Sequence, residues 1–518
     1  MNSFAVRRAE RPCLVDIPEF SDERGSLGVV ELSGTVGFEA RRFYYLYGTR
    51  EGEVRGRHCH RNLYQLLICL GGRVRVRLED AGGQTVFELS DPQQGLVIPP
   101  GCWRELDSFS PDTVVAVLAS HEYDEGDYIR DYEQFRREFC SPAKTETVPY
   151  IPMDRYHRAI GPDLEKAALA ALRSQQFIGG PALQEFEVSF ARYLGVRHVV
   201  GCGNGLDALV LILRALEIGP GDEVVVPANS FFASALAVDM AGAKPVFADV
   251  DPDTHGLTGE TLEKAVTSRT RAVMPVHLYG TPVDMDSLGP VAARHNLHVI
   301  EDAAQAHGAR FGNTQCGAFG IAAGFSFYPT KNLGAYGDAG AVATNDDALA
   351  ARIRMLGNYG SKVKYHHEIM GTNSRLDPLQ ASLLSVKLKH LETWNERRRQ
   401  LAQIYLEGLD GIGIYGLPAV PAKGLSVWHV FPLRIRSGLR DRCKAWLQEK
   451  GVGTNIHYPV PIHLQPVYAG LQHSRGDFPV SEQSSDELLS LPLDPFHTEE
   501  EIRTVVRHLE EFAEKKAG

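Results

Sequence analysis

Between Cys13 and Ser120 the apolar residues come in short runs separated by Gly, Pro and Asp: GSLGVVEL, RRFYYLY, YQLLICLGG, RVRVRLED, QTVFELS, GLVIPP and TVVAVLAS. RVRVRLE alternates with period two, one face apolar and the other cationic, which predicts a half-buried strand. Strand-length runs at regular spacing without intervening helices predict an antiparallel barrel or jelly roll. YDEGDYIRDYEQFRREF then reads as helical. SPAKTETVPYIPMDRY, Pro-rich and without apolar periodicity, predicts a linker over residues 141–155. Beyond Tyr156 the rhythm changes. Apolar cores (EVVVPA, KPVFADV, RAVMPVHL, LHVIEDA, AGFSFY, GAVATN) alternate with helical stretches such as DALVLILRALEIG. That alternation predicts a mostly parallel sheet covered on both faces. After about Leu379, KLKHLETWNERRRQLAQIYLEGL reads as one long polar helix opening a smaller subdomain. The expected organisation is thus residues 1–140, a linker over 141–155, and an α/β unit over 156–518. The α/β unit divides into a large subdomain of about 156–390 and a small one of about 391–518.

Composition narrows the function. Of 518 residues, 43% are apolar and 23% charged, which suits globular domains. Lys plus Arg number 54 against 65 for Asp plus Glu, a net charge of −11. This argues against a broad nucleic-acid or anionic-lipid footprint but leaves room for a local basic pocket. No run approaches the about 20 apolar residues of a membrane helix. The start, MNSFAVRRAERPC, lacks a signal-peptide core. Eight cysteines without CxxC pairs suit a reducing compartment. A cytoplasmic enzyme is expected, with no nucleic-acid or membrane partner.

Three segments of the second half fit one chemistry. GCGNGLDAL places glycines and an Asn between a strand and a helix, where free amides and the helix dipole favour a phosphate. VIEDAAQAHGA ends a buried strand in carboxylates, at the strand end where open α/β sheets bind ligands. FSFYPTKNLGAYGDAG sets Lys331 in a turn of small residues that a planar ligand could approach. An amine, an acid and an anion cradle are what an aldehyde-bearing pyridine phosphate requires.

With PANSFFAS, GTNSRLDPLQA and IHYPVPIH in matching order, the half from about Asp154 onward resembles the DegT/DnrJ-type sugar aminotransferases. These are pyridoxal 5′-phosphate (PLP) enzymes of the type I, aspartate-aminotransferase-like fold that act on nucleotide-linked keto sugars. The resemblance implies that Lys331 bonds covalently to the cofactor aldehyde and later shuttles a proton. It implies that Asp302 pairs with the ring nitrogen, Gln305 approaches the phenolic oxygen and Phe231 stacks on the ring. Gly203, Asn204, Gly205 and Ser326 would hold the phosphate. Asn373 would reach it across the interface of a homodimer with shared sites. His457 and Tyr458 would line the sugar pocket, with glutamate as amino donor. Related 3-dehydratases carry His at the lysine position; Lys331 here favours transamination.

In RGRHCHRNLYQLLICLGG, His58 and His60 fall on one face of a strand. Cupin-type metal barrels add a Glu after the HxH pair and a third His near the PxG turn. The corresponding places hold Gln65 and Arg104, a poor ligand and a cation, so no metal is expected. Arg24, Arg42, Tyr44, Arg55, Arg57 and Arg104 around two imidazoles suit an anionic ligand such as a diphosphate. DERGSL, RRFYYLY, RGRHCH, LICLGG, GLVIPPGCW and YDEGDYIRDY together resemble the sugar 3,4-ketoisomerases, metal-free RmlC-like cupins with a jelly-roll fold. On that resemblance His58 is the base moving a proton between C3 and C4. Tyr44, His60 and Arg24 polarise oxygens or relay protons, and Arg55 and Arg104 contact the substrate.

The two resemblances interlock. They imply a bifunctional chain that isomerises dTDP-4-keto-6-deoxyglucose to its 3-keto isomer and aminates C3. The competing expectation keeps the aminotransferase and makes the cupin a non-catalytic sugar-nucleotide-binding or dimerisation module. The indoor polar cluster argues against it. A PLP-dependent transcription regulator fails for want of a DNA-binding helix pair.

Overall fold

The computed structural model describes residues 11–31, 37–50, 52–140 and 147–517. The chain divides into two compact units, Met1–Lys144 and Thr145–Gly518.

The first unit is a sandwich of two five-stranded antiparallel sheets. Its strands are β1 (Cys13–Asp16), β2 (Glu19–Asp22), β3 (Gly25–Gly28), β4 (Arg42–Tyr47), β5 (Arg55–His60) and β6 (Gln65–Gly71). They continue with β7 (Val74–Asp80), β8 (Gly83–Leu89), β9 (Gln94–Ile98), β10 (Trp103–Asp107), β11 (Val114–Ala119) and β12 (Tyr128–Ile129). One sheet runs β1-β9-β6-β11-β4 and the other β12-β5-β10-β7-β8, while β2 and β3 form a separate hairpin. The alternation read in RVRVRLE is realised in β7. Val74, Val76 and Leu78 enter the core between the sheets, and Arg75 and Arg77 pair with Asp107 on the outside. The helical reading of YDEGDYIRDYEQFRREF needs correction at its centre. Tyr128 and Ile129 are a strand whose residues pair with His60 and Cys59. Ile129 is buried with Cys59, Trp103 and Phe135, and this cross-strand burial overrides local helix preference.

The second unit is built on a seven-stranded sheet. Its strands are β13 (His198–Cys202), β14 (Glu223–Pro227), β15 (Lys244–Ala248), β16 (Thr270–Val273), β17 (His298–Asp302), β18 (Ala322–Ser326) and β19 (Gly340–Thr344). Their order is β13-β19-β18-β17-β16-β14-β15, antiparallel only where β19 meets its neighbours. Helices α1 (Met153–Ser174), α2 (Pro181–Leu194), α3 (Gly205–Ala215), α4 (Ala233–Met240), α5 (Pro378–Leu388) and α6 (Leu391–Leu409) include those flanking the site. A second core gathers Leu401, Tyr405, Phe431, Leu433, Leu489, Ile502 and Leu509.

Two boundaries differ from the sequence reading. The linker does not extend to residue 155: Val148 is fully buried in that second core and bridges Val452, and α1 begins at Met153. A single buried valine among prolines leaves no periodicity to detect. Residues 141–146 lie outside the described residues. KLKHLETWNERRRQLAQIYLEGL is two helices, broken at Lys389–His390, because α6 starts afresh at Leu391. Among the described residues no helix is long and apolar enough to cross a membrane.

Candidate active sites

In the second unit the carboxyl ends of β13, β14, β17 and β18 face a cavity of about 490 Å³. Its lining includes Asn204, Gly205, Phe231, Asp302, Gln305, Ser326, Lys331, His457 and Tyr458. Asn204 caps α3, its Oδ1 accepting from the Asp207 N–H at 2.9 Å. A Cβ on Gly205 would come within 2.6 Å of Ser326 Cβ, and one on Gly340 within 2.4 Å of the Asn204 carbonyl. Only glycines let the helix start approach β18 and β19 so closely, and Asn204, Gly205 and Ser326 line the cavity there, a helix N-terminus suited to an anion. Gly203 stands behind this cradle. Its N–H donates to Ser374 Oγ at 2.9 Å, and it does not line the cavity.

Asp302 ends β17 and is 6% exposed. Ser234 Oγ donates to its Oδ2 at 2.8 Å, and the Ala304 N–H donates to Oδ1 at 3.2 Å. Burial holds the Asp302 carboxyl above its ordinary range, with Ser234 pulling the other way. A buried carboxylate facing a cavity is a site for a cationic N–H. Burial brings the Lys331 ammonium down to about 8, Asp302 opposing the shift, so a useful fraction is a free amine near neutrality. Gln305 is oriented by its neighbours. Its Oε1 accepts from the Tyr279 N–H at 2.7 Å, so its Nε2 donates to the Tyr458 hydroxyl at 3.1 Å. Phe231, 55% exposed, stands over the cavity with its ring centroid 5.4 Å from that of Tyr458. His457 is fixed through Nδ1 to Ser490 Oγ at 2.8 Å. Asn373 is exposed, bridges Asn358, and does not line the cavity of its own chain. The donor set matches PLP group by group: an amine for the aldehyde, a buried carboxylate for the ring nitrogen, and amides with a hydroxyl for the phosphate.

The sequence reading missed His429, which lines this cavity and hydrogen-bonds Asn332 Oδ1 through Nδ1 at 3.0 Å. It lies in SVWHVFPL, outside every motif, and only the fold brings it there. His307, inside the AQAHGA motif, is buried among Phe190, Phe325 and Phe327, away from the lining.

In the first unit a cavity of about 370 Å³ is lined by residues including Arg42, Tyr44, Arg55, His58, Gln65, Arg104, Tyr123 and Tyr128. His58 Nδ1 lies 3.0 Å from the Gly56 carbonyl oxygen, which can only accept, so Nδ1 carries the hydrogen and Nε2 is the lone pair. Burial, then the Arg104 charge, push the His58 imidazolium down to about 4. His60 is fully buried beneath it, the two rings edge-on at 4.9 Å. Its Nδ1 meets Asp127 Oδ2 at 2.9 Å, and its Nε2 has no hydrogen-bond partner. The Tyr44 hydroxyl accepts from Gln65 Nε2 at 2.6 Å, which leaves its own hydrogen to donate.

Arg104 faces His58 across the β5–β10 pair and is 3% exposed. Its Nε and Nη2 are buried without a hydrogen-bond partner. A buried guanidinium in that state is costly until an anion arrives. Among the described residues no group of three or more His, Cys, Asp or Glu side chains is placed to hold a metal.

Arg24 departs from expectation. It sits on the β2–β3 hairpin, 89% exposed and paired with Asp22, and does not line this cavity. The DERGSL segment forms a tight exposed turn that directs the guanidinium back onto its own carboxylate. Asp127, which the sequence reading left without a role, is revealed by the β5–β12 pairing.

Residues 158–510 match the model of the DegT/DnrJ/EryC1/StrS aminotransferase family. The chain belongs to that family. Its amino-terminal residues 10–139 match a second model, FdtA, described as WxcM-like, C-terminal. The chain is 46% identical over 375 residues to the dTDP-3-amino-3,4,6-trideoxy-alpha-D-glucose transaminase of Streptomyces venezuelae, covering 72% of this chain and 98% of that one. It is 44% identical over 365 residues to the dTDP-3-amino-3,6-dideoxy-alpha-D-galactopyranose transaminase of Aneurinibacillus thermoaerophilus, covering 70% and 99%. The crystal structure of NtdA from Bacillus subtilis with bound cofactor PMP superposes with a TM-score of 0.67 at 33% identity, covering 71% and 85%. PLP is the cofactor of this aminotransferase half.

Proposed function

We propose that the chain is a bifunctional enzyme of nucleotide-sugar biosynthesis. Its first unit isomerises dTDP-4-keto-6-deoxyglucose to the 3-keto sugar, and its second aminates C3 with glutamate to give a dTDP-3-amino-3,6-dideoxyhexose. The observation that carries this reading is a neutral imidazole facing an unpaired, buried guanidinium in a domain matched by the FdtA model, on the same chain as the aminotransferase. Both relatives named above are called 3-amino-sugar transaminases, and amination at C3 requires a C3 ketone.

In the first unit His58 Nε2 removes the proton from C3. The electron pair moves toward C4, and the negative charge on the C4 oxygen is held by Arg104. The same imidazole returns the proton to C4, while the hydroxyl proton on the C3 oxygen passes to the C4 oxygen by way of Tyr44. Atoms balance and no redox partner is needed. His60, braced by Asp127, supports the ring of His58. Arg55, at the exposed rim, faces the diphosphate.

In the second unit, bound PLP supplies an electrophilic aldehyde and a ring that accepts the electrons released when a proton leaves the carbon bearing nitrogen. Lys331 Nζ holds the cofactor covalently at rest and carries that proton during turnover. Asp302 keeps the ring nitrogen protonated. Ser326 and the Asn204–Gly205 backbone bind the phosphate, with Gly203 shaping the loop behind them. Phe231 covers one ring face and Gln305 Nε2 approaches the phenolic oxygen. His457 and Tyr458 line the sugar side. The exposed Asn373 reaches the phosphate of a second protomer, so the working form is a homodimer.

Asp302→Asn removes the charge and keeps the shape. The expected result is a loss on the order of 10²-fold or more in the glutamate half-reaction, followed by stopped-flow absorbance, with isomerisation of the 4-keto sugar unchanged. A half-reaction at the parental rate would refute the role given to Asp302.

A further inference from the structure

The turn that carries Lys331 is fastened from α5. The Lys331 N–H donates to the Tyr328 carbonyl at 2.8 Å, and the Ala335 N–H to the Phe327 carbonyl at 2.7 Å. A Cβ at Gly334 would lie 2.3 Å from the Pro329 carbonyl oxygen, so the backbone there has no slack. Two α5 side chains seven residues apart, and so on one helix face, grip this turn. Gln380 clasps Tyr336, its Oε1 accepting from the N–H at 2.9 Å and its Nε2 donating to the carbonyl at 3.0 Å. Lys387 Nζ donates to the Gly334 carbonyl at 2.6 Å.

Lys387 is an unusual residue to find here, 4% exposed and with its hydrogen bond spent on a backbone carbonyl. Its ammonium lies 4.8 Å from the Tyr336 ring centroid and 5.4 Å from that of Tyr156. The Asp494 carboxylate is taken by the Tyr156 hydroxyl at 2.8 Å and by Arg398 at 3.1 Å. Burial lowers the Lys387 pKa to about 8, against a pull upward from Asp494. Burying a charge is unfavourable unless it is paired or hydrogen-bonded. The contact made is with the one turn whose placement sets the reactive amine.

We propose that Lys387, with Gln380 beside it, is a positioning residue for Lys331, holding the Tyr328–Tyr336 turn so that Nζ meets the cofactor in register. This rests on the reading of Lys331 as the cofactor-bearing amine, so Lys331→Ala is prepared alongside. A misplacement of about 1 Å can cost on the order of 10²-fold in rate. The holoenzyme of Lys387→Met should lose roughly 10- to 100-fold in kcat for amination, with KM for glutamate within about twofold. The yield of PLP fixed to Lys331 by borohydride, read by peptide mass spectrometry, should fall. Lys387→Arg, which keeps a donor, should recover part of both. A Lys387→Met holoenzyme with parental kcat and parental fixation overturns the proposal, whatever its melting temperature. If Lys387→Met does not fold, Gln380→Leu decides: reduced kcat and fixation support the proposal, and parental values overturn it. If borohydride still fixes PLP to Lys331→Ala, the reading of Lys331 itself fails, a result distinct from either.

Discussion

Lys331→Ala abolishes amination of the sugar, with a loss of about 10⁴-fold or more, the upper range for removing a group that moves a proton in the transition state. The structure gives the reason. Lys331 is the amine in the cavity, its basicity reduced by burial against the opposing pull of Asp302. Protein reconstituted with PLP should no longer retain the cofactor after borohydride treatment and gel filtration. Isomerisation of the 4-keto sugar, which the proposed function assigns to the other unit, should proceed at the parental rate. A Lys331→Ala protein that aminates as fast as its parent would remove the basis of the aminotransferase mechanism.

His58→Asn produces the converse. Ketone migration from C4 to C3 should fall by on the order of 10²- to 10⁴-fold, while the glutamate half-reaction stays within about twofold. The full chain would then aminate only a supplied 3-keto sugar. If the amino-terminal unit merely bound or dimerised, the substitution would leave conversion of the 4-keto sugar as it was. The pH dependence has a definite sign. Burial and Arg104 disfavour the imidazolium, placing its pKa at about 4, so the base form is present above that value. The acid limb of kcat/KM for isomerisation should therefore appear as pH falls through about 4. A limb near the ordinary histidine value of about 6.5 would assign the base elsewhere.

What the sequence revealed, and what it concealed, follows from how each feature is encoded. Alternation in RVRVRLE and the apolar runs from EVVVPA to GAVATN reflect burial of whole faces, and the strands stand where those patterns lie. Asp302, Lys331 and Gly205 share one cavity because each sits in a local motif at a strand end or turn. Residues whose placement depends on long-range pairing were invisible. His429 enters the cofactor cavity from SVWHVFPL, and Asp127 reaches His60 only because its neighbour Tyr128 pairs with His60 between adjacent strands of one sheet. Val148 was hidden for the same reason, a lone apolar residue packed against elements some 300 residues away. Arg24 shows the opposite failure. Its motif suggested an indoor cation, but the two-residue proximity of Asp22 holds it on the surface. Lys387 opens KLKHLETWNERRRQLAQIYLEGL, which reads from sequence as a polar helix, and only the tertiary contact with Gly334 shows it buried.

The most direct measurement is the structure of the product. Full-length protein, PLP, glutamate and dTDP-4-keto-6-deoxyglucose are incubated together, and the sugar formed is determined by NMR. The two-step account predicts nitrogen on C3 and a hydroxyl on C4; nitrogen on C4, or a sugar bearing no nitrogen at all, would contradict it.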